Sequence, residues 1–143
     1  YEFFKDFFSN SIVIGDKRPF LSVLFTIKTN TDPTKDPSDE IAKEAQQFLI
    51  NKNINVNDKV SSLLKHKSSF EKLAIAIDDA ISVINSKAVS NASKIKKWII
   101  LSRDLSIKND ELTPTLKIKR KKIEINFYEE TKHINETLKL KYN

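Results

Sequence analysis

Glycine is almost absent from this chain, and its scarcity limits the folds and sites that the chain can form. At ordinary usage of ~7%, a chain of 143 residues would carry about ten glycines, whereas this one has only Gly15. Loops that wrap a phosphate need several glycines, because backbone N–H groups must approach the anion closely. The sequence therefore excludes a Walker loop, a dinucleotide fingerprint and a kinase glycine-rich loop.

The length and composition bound the class of protein. The 143 residues are close to the commonest size of a single domain and can bury a core without disulfides. The absence of cysteine removes thiolate catalysis and cysteine-ligated zinc, and it fits a cytoplasmic location. No signal peptide and no apolar run of the ~20 residues that span a bilayer are found. The chain has no methionine, which predicts a processed protein or a piece of a longer one.

Two apolar runs predict a β-hairpin near the start of the chain. Residues 11–14 and 20–29 flank a short loop that contains Gly15 and Pro19. The second run is nearly continuous, so its strand is expected to be covered on both faces. We expect Gly15 to supply the positive φ of the turn. Phenylalanines at helical spacing predict the end of a helix over residues 1–8.

The middle of the chain predicts helices. Asp36 is expected to cap the first, with Pro37 at its first position, where a missing N–H is harmless. This helix is expected to end near residue 51, and a short helix or turn to follow over residues 58–66. Both segments carry apolar residues at helical spacing, which places them against a core.

The clearest helix covers residues 70–86, and Ser68 with Glu71 matches a capping box ahead of it. Residues 95–101 predict a strand, and the chain is expected to be helical again from about residue 119. The order of these elements predicts one α+β domain over the whole chain, with a small sheet that includes a β-hairpin and is backed by several helices.

Residues 110–122 form the strongest candidate for a functional site. A polar turn with Pro114 leads directly into a cluster of cations: Lys117, Lys119, Arg120, Lys121 and Lys122. Proline fixes its own φ and pushes Thr113 into an extended conformation, so the lysines that follow are presented from an ordered turn. Cations in the first turn of a helix oppose its dipole by ~0.3–1 kcal/mol each, and several together indicate an anionic ligand.

Other polar residues offer less. His66 and His133 lie in separate polar segments without further ligands at matched spacing, so we predict surface positions and no metal site. Asp78 and Asp79 are adjacent on a predicted helix and cannot face each other, which indicates a solvated face. A self-contained hydrolase is not expected.

Three segments share their order and spacing with a known family. They are IVIGDKRPFL at residues 12–21, WIILSRDLS at 98–106, and DELTPTLKIKRK at 110–121. Together with the long helix between them, they resemble the C-terminal end of AMP-forming long-chain fatty acid–CoA ligases, which are acyl-CoA synthetases of the ANL adenylate-forming superfamily. The resemblance covers nearly the whole chain.

This resemblance implies a small C-terminal lid domain whose partner is the large N-terminal domain of the same enzyme, outside this chain. In such enzymes a lysine of the lid meets the carboxylate and the α-phosphate while the acyl-adenylate forms, and the lid then swings to complete the CoA channel. The full-length enzyme would use ATP, Mg²⁺, CoA and a fatty acid. The fragment alone is expected to hold no cofactor and to be inactive.

The wider superfamily carries this lysine in a T-x-x-G-K-x-x-R motif. Thr113, Lys117 and Arg120 match it, and Leu116 stands in the glycine position. The resemblance implies Lys117 as the catalytic residue, with Thr113, Lys119 and Arg120 binding the cofactor. Lys119 remains an alternative for the catalytic lysine.

A net charge of +6 also allows other anionic partners. The alternative is a basic α+β module that binds nucleic acid through residues 94–97 and 117–122. Such modules stack bases on exposed aromatics, whereas Trp98, Phe127 and Tyr128 are expected to face the core, so we expect no nucleic-acid partner. The amphipathic, basic segment 118–142 offers a third interpretation, peripheral association with a membrane.

Overall fold

The computed structural model describes residues 2–15, 20–55 and 58–132. A three-stranded sheet lies in the middle, in the order β1-β2-β3. β1 (Phe8–Ile14) pairs antiparallel with β2 (Leu21–Ile27), and β2 pairs parallel with β3 (Ile95–Ile100). The helices are α1 (Glu2–Phe7), α2 (Lys43–Asn51), α3 (Val60–Lys65), α4 (Lys67–Ser86) and α5 (Arg120–Asn126), with a 3₁₀ turn at Asn91–Ser93. The α+β class and the order of elements are confirmed.

The central strand β2 is covered on both faces, as its continuous apolar run predicts. Every residue from Ser22 to Ile27 is buried. Val23, Phe25 and Ile27 join a core built with α1 to α4. Leu24 points to the opposite face and joins a second core, built with α5 and the loops before it. β2 therefore contributes side chains to both cores, one on each face of the sheet.

The hairpin is confirmed, but the expected role of Gly15 is wrong. Gly15 does not have a positive φ. A Cβ at Gly15 would lie 2.2 Å from Cδ2 of Leu21. Glycine leaves room here for the Leu21 side chain, which any larger residue at this position would displace.

The helix expected from Asp36 begins later than predicted. α2 starts at Lys43, because the preceding residues pair with neighbouring backbone instead of coiling. Glu40 forms a bridge with Lys59, and Ile41 forms one with Thr29. These hydrogen bonds outweigh the local preference of a capping aspartate followed by proline, which shows how tertiary pairing overrides a cap signal.

α3 and α4 confirm the other two helices, with one correction. Ser68 does not cap α4, since the N-cap is His66, whose Nδ1 accepts a hydrogen bond from the Ser69 N–H at 3.3 Å. α3 ends directly before His66, and the backbone turns there into an extended conformation suited to a cap. α4 buries Leu73, Ile77, Ala80 and Ile81, as its period predicts.

Beyond the sheet, α5 places Ile123 and Phe127 in the second core. Tyr128 was expected to face the core, but it is exposed because it lies one position beyond the buried Phe127. Trp98 is half-buried, and its Nε1 donates to Asp78 Oδ1 at 2.7 Å. Within the described segments, no helix is long and apolar enough to cross a membrane.

Candidate functional site

Residues 112–118 form a tight hairpin. Leu112 and Ile118 pair antiparallel at its base. At the tip, the Thr113 N–H donates to the Lys117 carbonyl and the Leu116 N–H donates to the Thr113 carbonyl, each at 2.8 Å. The Thr113 hydroxyl also accepts from the Lys117 N–H at 3.0 Å. Thr113 thus fixes the turn, so the Lys117 side chain extends from an ordered backbone, as the sequence predicts.

Leu116 adopts a left-handed backbone conformation, with φ at 66°. Hairpins with a three-residue loop commonly end on a left-handed residue, and glycine is the usual choice for that position. It is also the position at which the T-x-x-G-K-x-x-R motif has its glycine. A left-handed residue therefore stands where that motif has glycine, and in this chain it is leucine.

The candidate cations differ in their partners. Lys117 is exposed, and its ammonium group makes no hydrogen bond or ion pair with any residue that the structure describes. Lys119 forms an ion pair with Asp110, and Arg120 donates to the Val13 carbonyl of β1. The hydrogen bond from Lys119 holds the pKa of Asp110 below its ordinary value. Of the motif residues, Lys117 has the cation most available to a ligand.

The buried carboxylate of Glu111, directly before the hairpin, anchors the hairpin to neighbouring segments. Glu111 is fully buried and accepts two hydrogen bonds from the Arg103 guanidinium, at 2.9 and 2.7 Å. It also accepts from the Ser106 N–H at 3.2 Å and from Asn126 Nδ2 of α5 at 2.9 Å. The guanidinium carbon of Arg103 lies 4.4 Å from the ring centre of Phe127. These contacts join the loop after β3, the hairpin and α5.

The backbone of Glu111 completes this connection. Its N–H donates to the Ser106 carbonyl at 3.0 Å, and its carbonyl accepts from the Lys119 N–H at 2.8 Å. The hairpin base is thus fixed through both the main chain and the side chain of one residue. Sequence reasoning missed Arg103 and Glu111, because a pair eight positions apart within loops follows no helical or strand period.

A second buried acid anchors the same loop to β1. Asp104 is 8% exposed and accepts from the Ser9 hydroxyl at 2.7 Å and the Thr29 hydroxyl at 3.0 Å. Its own loop contributes the Leu105 N–H at 2.9 Å. Asp104 therefore fixes the segment that carries Arg103 to β1, through Ser9, and to the residues that follow β2, through Thr29.

The remaining candidates lie apart from this site. Asp78 and Asp79 are exposed on α4, as expected. His66 caps α4, and His133 lies outside the described residues. Of the three aromatics expected to face the core, Phe127 is buried, Trp98 is half-buried and Tyr128 is 58% exposed.

The chain is similar in sequence to long-chain fatty acid–CoA ligases. It is 41% identical over 116 residues to the long-chain-fatty-acid–CoA ligase ACSBG2 of Xenopus laevis, a match that covers 78% of this chain and 15% of that protein. It is 38% identical over 132 residues to the long-chain-fatty-acid–CoA ligase ACSBG1 of Homo sapiens, which covers 87% of this chain and 18% of that protein. The chain thus spans less than a fifth of the relatives' length. No protein-family model and no solved structure matches it.

Proposed function

We propose that this chain is the C-terminal lid domain of an AMP-forming long-chain fatty acid–CoA ligase, and that Lys117 supplies a cation to the adenylation step. The similarity to ACSBG1 and ACSBG2 supports the class of enzyme. The observation that carries the site is the left-handed Leu116, in the glycine position of the superfamily motif and directly before an exposed lysine.

The chemistry of adenylation suits a lysine held in this way. Attack of a fatty acid carboxylate on the α-phosphate of ATP brings two anions together, and charge develops further on the phosphoryl oxygens. A positioned ammonium group stabilises that charge without rearranging during the reaction. Lys117 fits this role because no described residue neutralises it. The lid can later withdraw the cation, while CoA attacks the acyl-adenylate.

The three residues assigned to cofactor binding also hold the hairpin and the segment after it. Thr113 closes the turn, Lys119 neutralises Asp110, and Arg120 ties the first turn of α5 to β1. This arrangement favours Lys117 over Lys119 as the catalytic lysine. ATP, Mg²⁺, CoA and the acyl chain would be held mainly by the large N-terminal domain. A cytoplasmic location, with peripheral contact to membranes, remains a prediction.

The two half-reactions of the full-length ligase test this proposal. Lys117→Ala is expected to slow acid-dependent ATP–pyrophosphate exchange by about 10²–10³-fold. It should change thioester formation from preformed acyl-adenylate by no more than a few-fold. Lys121→Ala is the matched control, because Lys121 is an exposed lysine of the same cluster. Equal losses in both half-reactions, or a larger effect of Lys119→Ala on exchange, would overturn the role of Lys117.

A further inference from the structure

Both ends of the hairpin over residues 112–118 meet at Glu111. Leu112 follows Glu111 directly, and Lys119, the first residue after the hairpin, donates its N–H to the Glu111 carbonyl at 2.8 Å. The Glu111 N–H donates in turn to the Ser106 carbonyl at 3.0 Å, in the loop after β3. The orientation of Glu111 therefore helps to set the direction in which the whole hairpin leaves the domain.

The Glu111 side chain is held from two directions. On one side, the Arg103 guanidinium donates to both carboxylate oxygens, and on the other, Asn126 of α5 donates at 2.9 Å. The guanidinium in turn lies against the ring of Phe127, which belongs to the second core. A planar fork fixed at both of its ends allows the carboxylate one orientation, so the base of the hairpin is tied to the second core.

The position of the Lys117 ammonium group depends on this backbone. The group makes no hydrogen bond or ion pair with any described residue, so no other side chain in that part of the chain guides it. Lys117 lies two residues from Lys119, about 7 Å along an extended strand. A rotation of the hairpin about its base is therefore carried to Lys117 and enlarged by the length of the lysine side chain. A misplacement of about 1 Å can cost ~10²-fold in rate.

We propose that Glu111 and Arg103 are positioning residues for the adenylation step, which hold the hairpin at the angle that Lys117 needs. The inference rests on the proposed function and deepens it, because it names the residues that place the catalytic cation. Glu111 is fully buried, so it acts on the reaction only through the hairpin. Thioester formation proceeds without Lys117 in the proposed function, so the pair should matter little to that half-reaction.

Two variants of the full-length ligase disturb the pair in different ways. Glu111→Gln keeps the shape of the side chain and removes its charge, whereas Arg103→Lys keeps the charge and removes the planar fork. Each should lower the kcat of ATP–pyrophosphate exchange about tenfold and leave the KM for ATP and for the fatty acid within about twofold. Thioester formation from preformed acyl-adenylate should also stay within about twofold.

The measure is the ratio of the two half-reaction rates in one preparation, because a loss of folded enzyme lowers both rates and cancels. Ile77→Val is the matched control, since Ile77 is fully buried in the first core and loses one methylene there. It should destabilise the domain and leave the ratio unchanged. A ratio that falls equally in Ile77→Val would assign the effect to stability and refute positioning.

A double variant tests whether the pair acts through Lys117. In a Lys117→Ala background, Glu111→Gln should change exchange by less than about twofold, because no cation is left to position. A tenfold loss that persists without Lys117 would refute the proposal. If Lys117→Ala lowers the ratio while Glu111→Gln and Arg103→Lys do not, positioning is refuted and the proposed function stands. If Lys117→Ala alone has no effect, the proposed function itself fails.

Hydrogen exchange in the 143-residue chain gives a readout that needs no substrate. The Lys119 amide, bound to the Glu111 carbonyl, should exchange faster in Glu111→Gln than in Ile77→Val when urea brings the two variants to the same global stability. Equal exchange at that amide would show that the side chain of Glu111 does not hold the base of the hairpin, and would overturn the inference.

Discussion

The Glu111 carboxylate and the Arg103 guanidinium form two parallel hydrogen bonds, 2.9 Å from Nη1 to Oε1 and 2.7 Å from Nη2 to Oε2. The carboxylate is fully buried, while 32% of the Arg103 side chain is exposed. Removing one partner of such a pair leaves the other charge poorly solvated, so the pair is costly to break whatever its net contribution to folding. The pair holds the hairpin against the second core, and this hairpin carries Lys117.

Glu111→Gln should destabilise the 143-residue chain by about 1–3 kcal/mol, because Arg103 loses its charged partner while the shape of the side chain is kept. Urea unfolding measures this free energy. Glu124→Gln is the control, since Glu124 is exposed on α5, and it should change the free energy of unfolding by less than about 0.5 kcal/mol. Similar losses in the two variants would contradict a special role for the buried pair.

Gly15→Ala should destabilise the chain through contact with Leu21 and not through φ. The new Cβ would lie 2.2 Å from Leu21 Cδ2, so that side chain must leave its rotamer, at roughly 0.5–1.5 kcal/mol. In a Leu21→Ala background the obstacle is gone, and the same substitution should be nearly neutral. A double-mutant cycle measured by thermal unfolding tests this coupling. Additive effects would show that the close approach is not the cause.

Two substitutions of His66 should change the free energy of unfolding in opposite directions. His66→Ala removes the acceptor for the Ser69 N–H and should lower the free energy of unfolding by about 0.5–1 kcal/mol. His66→Asp supplies a shorter, negatively charged acceptor at a helix N-terminus. It should raise the free energy of unfolding, by less than His66→Ala lowers it. Chemical denaturation of both variants measures the effect. Destabilisation by aspartate would argue against capping by this residue.

Asp110 should make stability depend on pH at the acidic end. Its folded-state pKa is lowered, first by the hydrogen bond from Lys119, so the ionised carboxylate favours the folded chain. This contribution is complete above about pH 5, where the unfolded carboxyl is also ionised, and is lost as the pH falls through the folded-state pKa. Asp110→Asn suits the φ of 61° and removes the carboxylate.

The comparison of Asp110→Asn with the parent chain is made by urea unfolding between pH 6 and pH 2. The difference in unfolding free energy should be constant above about pH 5 and should shrink as the solution is acidified further. Asp32, whose pKa is lowered mainly by the backbone N–H of Thr34, is present in both proteins and cancels. A difference that does not vary with pH would contradict the assignment to Asp110.

Features that follow from the pattern of apolar residues along the chain were predictable from the sequence. The continuous apolar run of β2 predicted a strand covered on both faces, and the spacing of Leu73, Ile77 and Ala80 predicted α4. The turn at Pro114 and the exposure of Lys117 were also within reach, since proline and a charged cluster act locally.

Features that depend on distant partners were not predictable from sequence. Asp36 carried a cap signal, but the bridge between Ile41 and Thr29 delayed the helix. Gly15 suggested a positive φ, whereas the deciding contact comes from Leu21 on the next strand. The Arg103–Glu111 pair has no signal at all, because burial of an acid becomes visible only when its donors are in place.

The parallel pairing of β2 with β3 has a consequence for the order of folding. The helices α2 to α4 lie between the two strands along the chain, and the bond from Ser9 to Asp104 joins residues 95 positions apart. Contacts of such long sequence separation must overcome loop-closure entropy and form slowly. During synthesis, Ile12 and Leu24 emerge well before Phe127, which covers them. The nascent chain therefore carries an uncovered apolar sheet face until Phe127 has been made, and in that interval the face is open to aggregation.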